Sequence, residues 1–158
     1  MEISDLIQPH TVFADVKATS KKQALQELAR RAATITGCPE RDILDVLIER
    51  ERLGTTGIGK GIAIPHGKIS GIDKVHGIFA KLSHGVDYDA MDNMPVDLLF
   101  LLLAPESAGA DHLKALARVS RTLRDKGRCE KLRGSHDADA LYAILTEEAP
   151  QPDAQAKS

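Results

Sequence analysis

The sequence predicts an α/β sandwich, on three observations. Helix-periodic and strand-like segments alternate along the chain. The run Leu98 to Leu103 is so continuously apolar that it belongs in a central strand covered on both faces. And 158 residues make one ordinary domain, long enough to bury roughly 70% of the surface its unfolded form would expose.

Each element has its own signature. Ser20 and Gln23 have capping-box spacing, and Leu25, Leu28, Ala32 and Ile35 keep a helical period until Gly37 and Pro39 stop it. A second helix is expected from about Arg41 to Leu53, with Ile43, Val46, Leu47 and Arg50 at i, i+3, i+4 and i+7. Arg50 thus shares a face with apolar residues, where its stem can lie along the core edge with the guanidinium in water. Short apolar runs at Ile62 to Ile64, Ile78 to Leu82 and Leu98 to Leu103 read as strands. Val86 to Pro95, rich in Asp and Met, reads as a connecting loop. A third helix is expected from Ala110 or Asp111 to Lys126, with Leu113, Leu116, Ser120 and Leu123 inward and Gly127 as its stop; His112 falls in its first turn. A short last helix follows Asp137, with Leu141 and Leu145 inward. The domain is expected to span residues 1–149, and the tail 150–158, with nothing to bury, is expected to be disordered.

Composition excludes several classes. With 21 basic and 23 acidic residues there is no global field to hold nucleic acid or an anionic membrane. The longest apolar run falls far short of a bilayer span, and Met1-Glu2-Ile3-Ser4-Asp5 lacks the basic start of a signal peptide, so a cytoplasmic, uninserted protein is expected. Cys38 and Cys129 have no C-x-x-C partner and read as free thiols.

The most informative stretch runs from Gly54 to Gly67, a glycine-rich segment ending in one histidine held between Pro65 and Gly67. Gly54-x-x-x-x-Gly59-Lys60 matches a phosphate-binding P-loop until the last position, where Gly61 replaces the required hydroxyl and Pro65 prevents the helix that must follow. The dinucleotide fingerprint fails as well, because Ile62 stands where its last glycine belongs. What remains is a side-chain-poor loop, at Gly57, Gly59, Gly61 and Gly67, that lets another molecule approach the backbone.

Six histidines occur, and for most of them a surface or hydrogen-bonded role is the default. His66 differs in its Pro–Gly setting. There is no H-E-x-x-H, no H-x-H and no acid beside it to suggest a metal, and no G-x-S-x-G to suggest a hydrolase triad. A neutral imidazole in such a place can act as a nucleophile, and the group best matched to a nearby arginine and a helix N-terminus is phosphoryl. Arg50 would supply fixed positive charge, and His112 a hydrogen bond at the start of a helix.

These residues resemble a known family. Arg50-Glu51 followed by Thr56-Gly57-Ile58-Gly59-x-Gly61-Ile62-Ala63-Ile64-Pro65-His66-Gly67 looks like the enzyme IIA domain of the mannitol/fructose class in the bacterial phosphoenolpyruvate-dependent phosphotransferase system. The likeness continues through Pro95 to Pro105 and Asp111-His112-Leu113-Lys114-x-Leu116-Ala117, and Ser20 to Leu25 look most like the nitrogen-regulatory branch. It implies a three-layer α/β/α sandwich around a mixed sheet of about five strands. It also implies phosphorylation on His66, with Arg50 and His112 as active-site partners and no metal, nucleotide or other cofactor. The donor implied is a small phosphocarrier of the HPr type, docking over the glycine loop with Ile58, Ile62 and Ile64 as a candidate apolar rim. Two outlets are then open: regulation of targets such as potassium transporters or sensor kinases, or donation to an enzyme IIB in sugar uptake. A non-catalytic binding module on the same fold is the rival from another class, and a degenerate nucleotide binder a further one.

Overall fold

A computed structural model describes residues 1–147, so the tail expected to be disordered lies outside the described residues. Six strands, β1 (Val12–Val16), β2 (Gly57–Gly59), β3 (Ile62–Ala63), β4 (His66–Ile69), β5 (His76–Val86) and β6 (Val96–Pro105), form one mixed sheet in the order β1-β5-β6-β3-β2, with β4 also on β6. Five α-helices, α1 (Lys21–Thr36), α2 (Glu40–Arg52), α3 (Ala110–Leu123), α4 (Lys126–Arg133) and α5 (Ala138–Thr146), cover it. The α/β fold read from the sequence is the fold observed, with one strand more than the resemblance implied.

Strand β6 divides the core by its two-residue period. Leu99, Leu101 and Leu103 face α1 and α2, packing with Leu25, Leu28, Ile43 and Leu47. Leu98, Phe100 and Leu102 face the other way, onto Ala115, Val119, Leu132 and Leu141 of α3, α4 and α5. All six side chains of this stripe are fully buried, as the unbroken apolar run required.

Helix α1 starts at Ser20, whose side chain accepts the Gln23 N–H at 3.1 Å. The reciprocal half of the expected box moves one residue back: Gln23 accepts from the backbone and hydroxyl of Thr19 at 2.7 and 2.8 Å. Gly37 closes the helix in the left-handed conformation at φ 77°.

The third helix differs from its expected form in two ways. Its inward stripe is His112, Ala115, Val119 and Leu123, while Leu113 is 70% exposed and Leu116 and Ser120 are half-buried. The large leucines had set the expected phase, but the close approach to the sheet favours the small Ala115 and the β-branched Val119. The helix also ends at Leu123 rather than at Lys126. Asp125 then caps α4 by accepting the Arg128 N–H, which puts Gly127 inside a helix that the sequence had not announced. Val86 belongs to β5, and Tyr88 and Ala90 in the expected loop are buried.

Candidate active site

The glycine-rich segment is a β-hairpin. β2 and β3 pair antiparallel through a two-residue turn, Lys60-Gly61, with φ of 58° and 80°. Two successive left-handed residues match the right-handed twist of the strands they join. The Asp92 carboxylate accepts the Lys60 N–H at 2.8 Å, and Arg133 of α4, paired with Asp97, donates to the Lys60 carbonyl at 2.7 Å. A Cβ on Gly61 would collide with that guanidinium and stand 2.9 Å from Asp97 Oδ1. The four glycines are placed by these needs: Gly57 and Gly59 are the end residues of β2, Gly61 is in the turn, and Gly67 lies beneath α2. Of the candidate apolar rim, Ile58 is exposed, while Ile62 and Ile64 are in the core beneath α3.

β3 and β4 are two pieces of one parallel strand on β6. Ile62 pairs with Leu98 and His66 with Leu102, so the register is unchanged across the gap at Ile64-Pro65. Proline has no N–H to give to β6, which interrupts the ladder there. The Pro65 carbonyl still accepts from Leu102, and the Ile64 N–H donates to the Thr56 carbonyl beside it. The Ile64 carbonyl is taken instead by the His66 ring, whose Nδ1–H donates to it at 2.8 Å.

That bond fixes the tautomer, because a carbonyl can only accept. The second nitrogen agrees: Arg50, in the last turn of α2, donates its Nε–H to His66 Nε2 at 3.2 Å. His66 is therefore a neutral imidazole with its lone pair on Nε2, facing the guanidinium. Its pKa lies below the ordinary histidine value, chiefly through burial, with the Arg50 charge adding to the shift and the Ile64 bond and Glu51 opposing it. Arg50 is held from its other end by the Gly54 carbonyl at 2.8 Å.

His112 approaches from the opposite layer. Its ring meets that of His66 edge to face, with centroids 5.5 Å apart and planes at 73°. It is the third residue of α3, and its buried Nε2 has no hydrogen-bond partner among the described residues. Burial, then the nearby His66 and Lys68, keep it below the ordinary value too. The fold thus brings Arg50, His66 and His112 to one place, at the seam between the two helical layers. His10, His84 and His136 are exposed elsewhere, and His76 opens β5 on the far flank of β6. Among the described residues, no group of three or more His, Cys, Asp or Glu side chains could hold a metal ion.

One part of the site had no reading in the sequence. Glu51, with its side chain only 7% exposed, pairs with Lys21 at 2.9 Å and accepts the Thr56 N–H at 3.0 Å, the Thr56 hydroxyl, and the Tyr88 hydroxyl at 3.1 Å. This carboxylate ties the start of α1, the end of α2, the entrance to β2 and the 87–90 segment behind Arg50. The available signal was an acid adjoining Arg50 within the motif; Tyr88, in a segment read as loop, gave none.

Comparison with known proteins identifies the family. The family model described as "Phosphoenolpyruvate-dependent sugar phosphotransferase system, EIIA 2" matches residues 5–148. The chain is 56% identical over 145 residues to a nitrogen regulatory protein of Bradyrhizobium diazoefficiens, covering 92% of this chain and 95% of that one. It is 35% identical over 147 residues to the fructose-specific EIIA component of Haloferax volcanii, covering 92% and 96%. Among solved structures it resembles the nitrogen regulatory protein IIA-Ntr of Neisseria meningitidis, with a TM-score of 0.85 and 33% identity over 91% of this chain and 99% of that one.

Proposed function

Since the chain belongs to the EIIA 2 family of the phosphoenolpyruvate-dependent sugar phosphotransferase system, we propose that it is a phosphohistidine relay which accepts its phosphoryl group on His66 from an HPr-type carrier. The transfer is an in-line displacement. The His66 Nε2 lone pair attacks phosphorus, the donor's P–N bond breaks, and its electron pair returns to the donor imidazole. The Nδ1–H stays on the Ile64 carbonyl, so the acceptor ring does not turn as the new P–N bond forms.

Arg50 has two roles in this sequence. At rest its Nε–H occupies the lone pair; as the donor closes in, the same guanidinium moves onto the phosphoryl oxygens and stabilises their charge. His112 Nε2 supplies a hydrogen bond to the same oxygens, near the N-terminus of α3 where an anion is favoured. The carrier docks over the β2–β3 hairpin beside His66, with Ile58 as the exposed apolar contact. Neither metal nor nucleotide is needed, and the setting is cytoplasmic.

The outlet we favour is regulation. A phosphoryl group adds up to about two negative charges beside Arg50, and a partner that binds the unmodified surface then meets repulsion and desolvation. Targets in nitrogen or potassium control, such as transporters or sensor kinases, fit this reading, which the name of the Bradyrhizobium relative supports. The likeness to a fructose-specific component favours a second outlet, donation to an enzyme IIB.

The observation that carries the proposal is the doubly fixed tautomer, which leaves one unprotonated nitrogen beside a fixed cation. Incubation with phosphoenolpyruvate, enzyme I and the carrier is expected to add the mass of one phosphoryl group to the wild type and none to a folded His66→Ala variant. Undiminished labelling of that variant would refute the assignment, and no labelling of either would favour a non-catalytic binding module.

A further inference from the structure

A second cation-lined hollow lies far from His66. Its volume is about 160 Å³, and its walls come from the N-terminal 3₁₀ turn at Ile3–Asp5, the second half of α3, α4 and the end of α5. Arg118, Arg121 and Arg128 line it, with the polar side chains of Ser4 and Thr122.

Carboxylates line it as well, and each has a partner of its own. Glu2 pairs with Arg118, Asp125 caps α4 through the Arg128 N–H, and Glu147 pairs with Lys131 at 3.4 Å. Arg121 and Arg128 have no carboxylate partner among the described residues. Arg128 is the informative one: it is 9% exposed, its Nη1 donates to the Ile144 carbonyl near the end of α5, and its buried Nε has no partner among the described residues. The buried Nε of Arg118 is in the same condition. A helix-end carbonyl offers a partial charge, whereas a guanidinium removed from water needs a full one.

We propose that this hollow is a binding site for a small phosphate-bearing anion, held by Arg121 and Arg128 with hydrogen bonds from Thr122 and Ser4. Guanidinium forks and hydroxyl donors are the set that meets a tetrahedral oxyanion on several faces. The site is separate from the phosphorylation site: His112 and Thr122 are ten residues apart on α3, about 15 Å along its axis. Ligand at one end of α3 and phosphoryl at the other would bear on the same helix.

The test uses the full chain and sodium pyrophosphate as probe, at constant ionic strength in chloride, followed by thermal unfolding and by ³¹P line broadening. A ligand that binds the native state raises the melting temperature saturably. We expect a saturable shift in the wild type that persists in His66→Ala. In Arg121→Ala, a substitution at an exposed position, we expect the half-saturating concentration to rise at least about tenfold, while labelling of His66 by the carrier is unchanged. Thr122→Val should weaken binding by a smaller factor. An absent shift, an unaltered midpoint in Arg121→Ala, or loss of binding in His66→Ala would each overturn the site. An equal shift with succinate would overturn its assignment to phosphate.

Discussion

The two flanks of β6 are built differently. On one side β5 runs antiparallel beside it, pairing from His76 with Leu103 to Lys81 with Leu98. On the other side the parallel partner is cut in two at Ile64-Pro65, and the hairpin β2–β3 ends where the cut begins. The continuous flank contributes burial and little else. On the interrupted flank the Ile64 carbonyl faces the hairpin side rather than β6; with the Thr56 N–H opposite it given to Glu51, it is left to orient the imidazole of the next-but-one residue. An acceptor left over at the end of the hairpin thereby fixes the tautomer.

The contrast is tested most severely at Arg50, which reaches the interrupted flank from α2. Arg50→Ala should slow phosphoryl transfer by about 10²- to 10³-fold, the scale seen when a charge-stabilising donor is removed. Rapid-quench labelling measures this, and the melting temperature should scarcely move.

Glycines on the two flanks give a sharper comparison. Leu102 lies between His66 on one side and Gly77 on the other. A Cβ on Gly67 would collide with Val46 of α2, and one on Gly77 would meet Phe100 Cε1 at 2.8 Å and the Leu6 carbonyl at 3.1 Å. Both alanine variants should lose about 1–3 kcal/mol, as overpacked cores do, measured by urea unfolding. Only Gly67→Ala, which pushes α2 and its Arg50 outward, should also slow labelling of the folded protein, and Val46→Ala should restore it. Equal slowing by Gly77→Ala would show that the flanks are not functionally distinct.

The smallest effect is pH dependence. His66 and His112 are depressed below the ordinary value of about 6.5 by burial. Labelling should therefore stay level as pH falls to that value and decline only below it. Stability follows the same sign: below about 6.5 the unfolded chain binds protons that the folded one refuses, so stability is lost as pH falls toward the folded values. An amplitude reduced in His66→Ala would tie that loss to this ring.

Much of this architecture was legible because local signals agreed with the tertiary result. The unbroken apolar run of β6, Ser20 and Gly37 at the ends of α1, and Pro65 beside His66 each carry a local physical reason. The short strands were harder. β1 is five residues and β2 three, too brief for a period to emerge, and they exist because β5 and β3 offer edges to pair with. In α3 the leucines misled, since the inward stripe includes a histidine and an alanine chosen by proximity to the sheet. The convergence of Arg50, His66 and His112 was suggested by the motif, but their distances belong to tertiary structure. The Glu51–Thr56–Tyr88 network joins residues 37 positions apart at its widest hydrogen bond, beyond the reach of spacing rules.

The central claim concerns one atom. ³¹P–¹⁵N correlation on the protein labelled by its carrier should show phosphorus bonded to Nε2 of His66, with Nδ1 still protonated and hydrogen-bonded. Phosphorus on Nδ1, or on any other residue, would contradict the account.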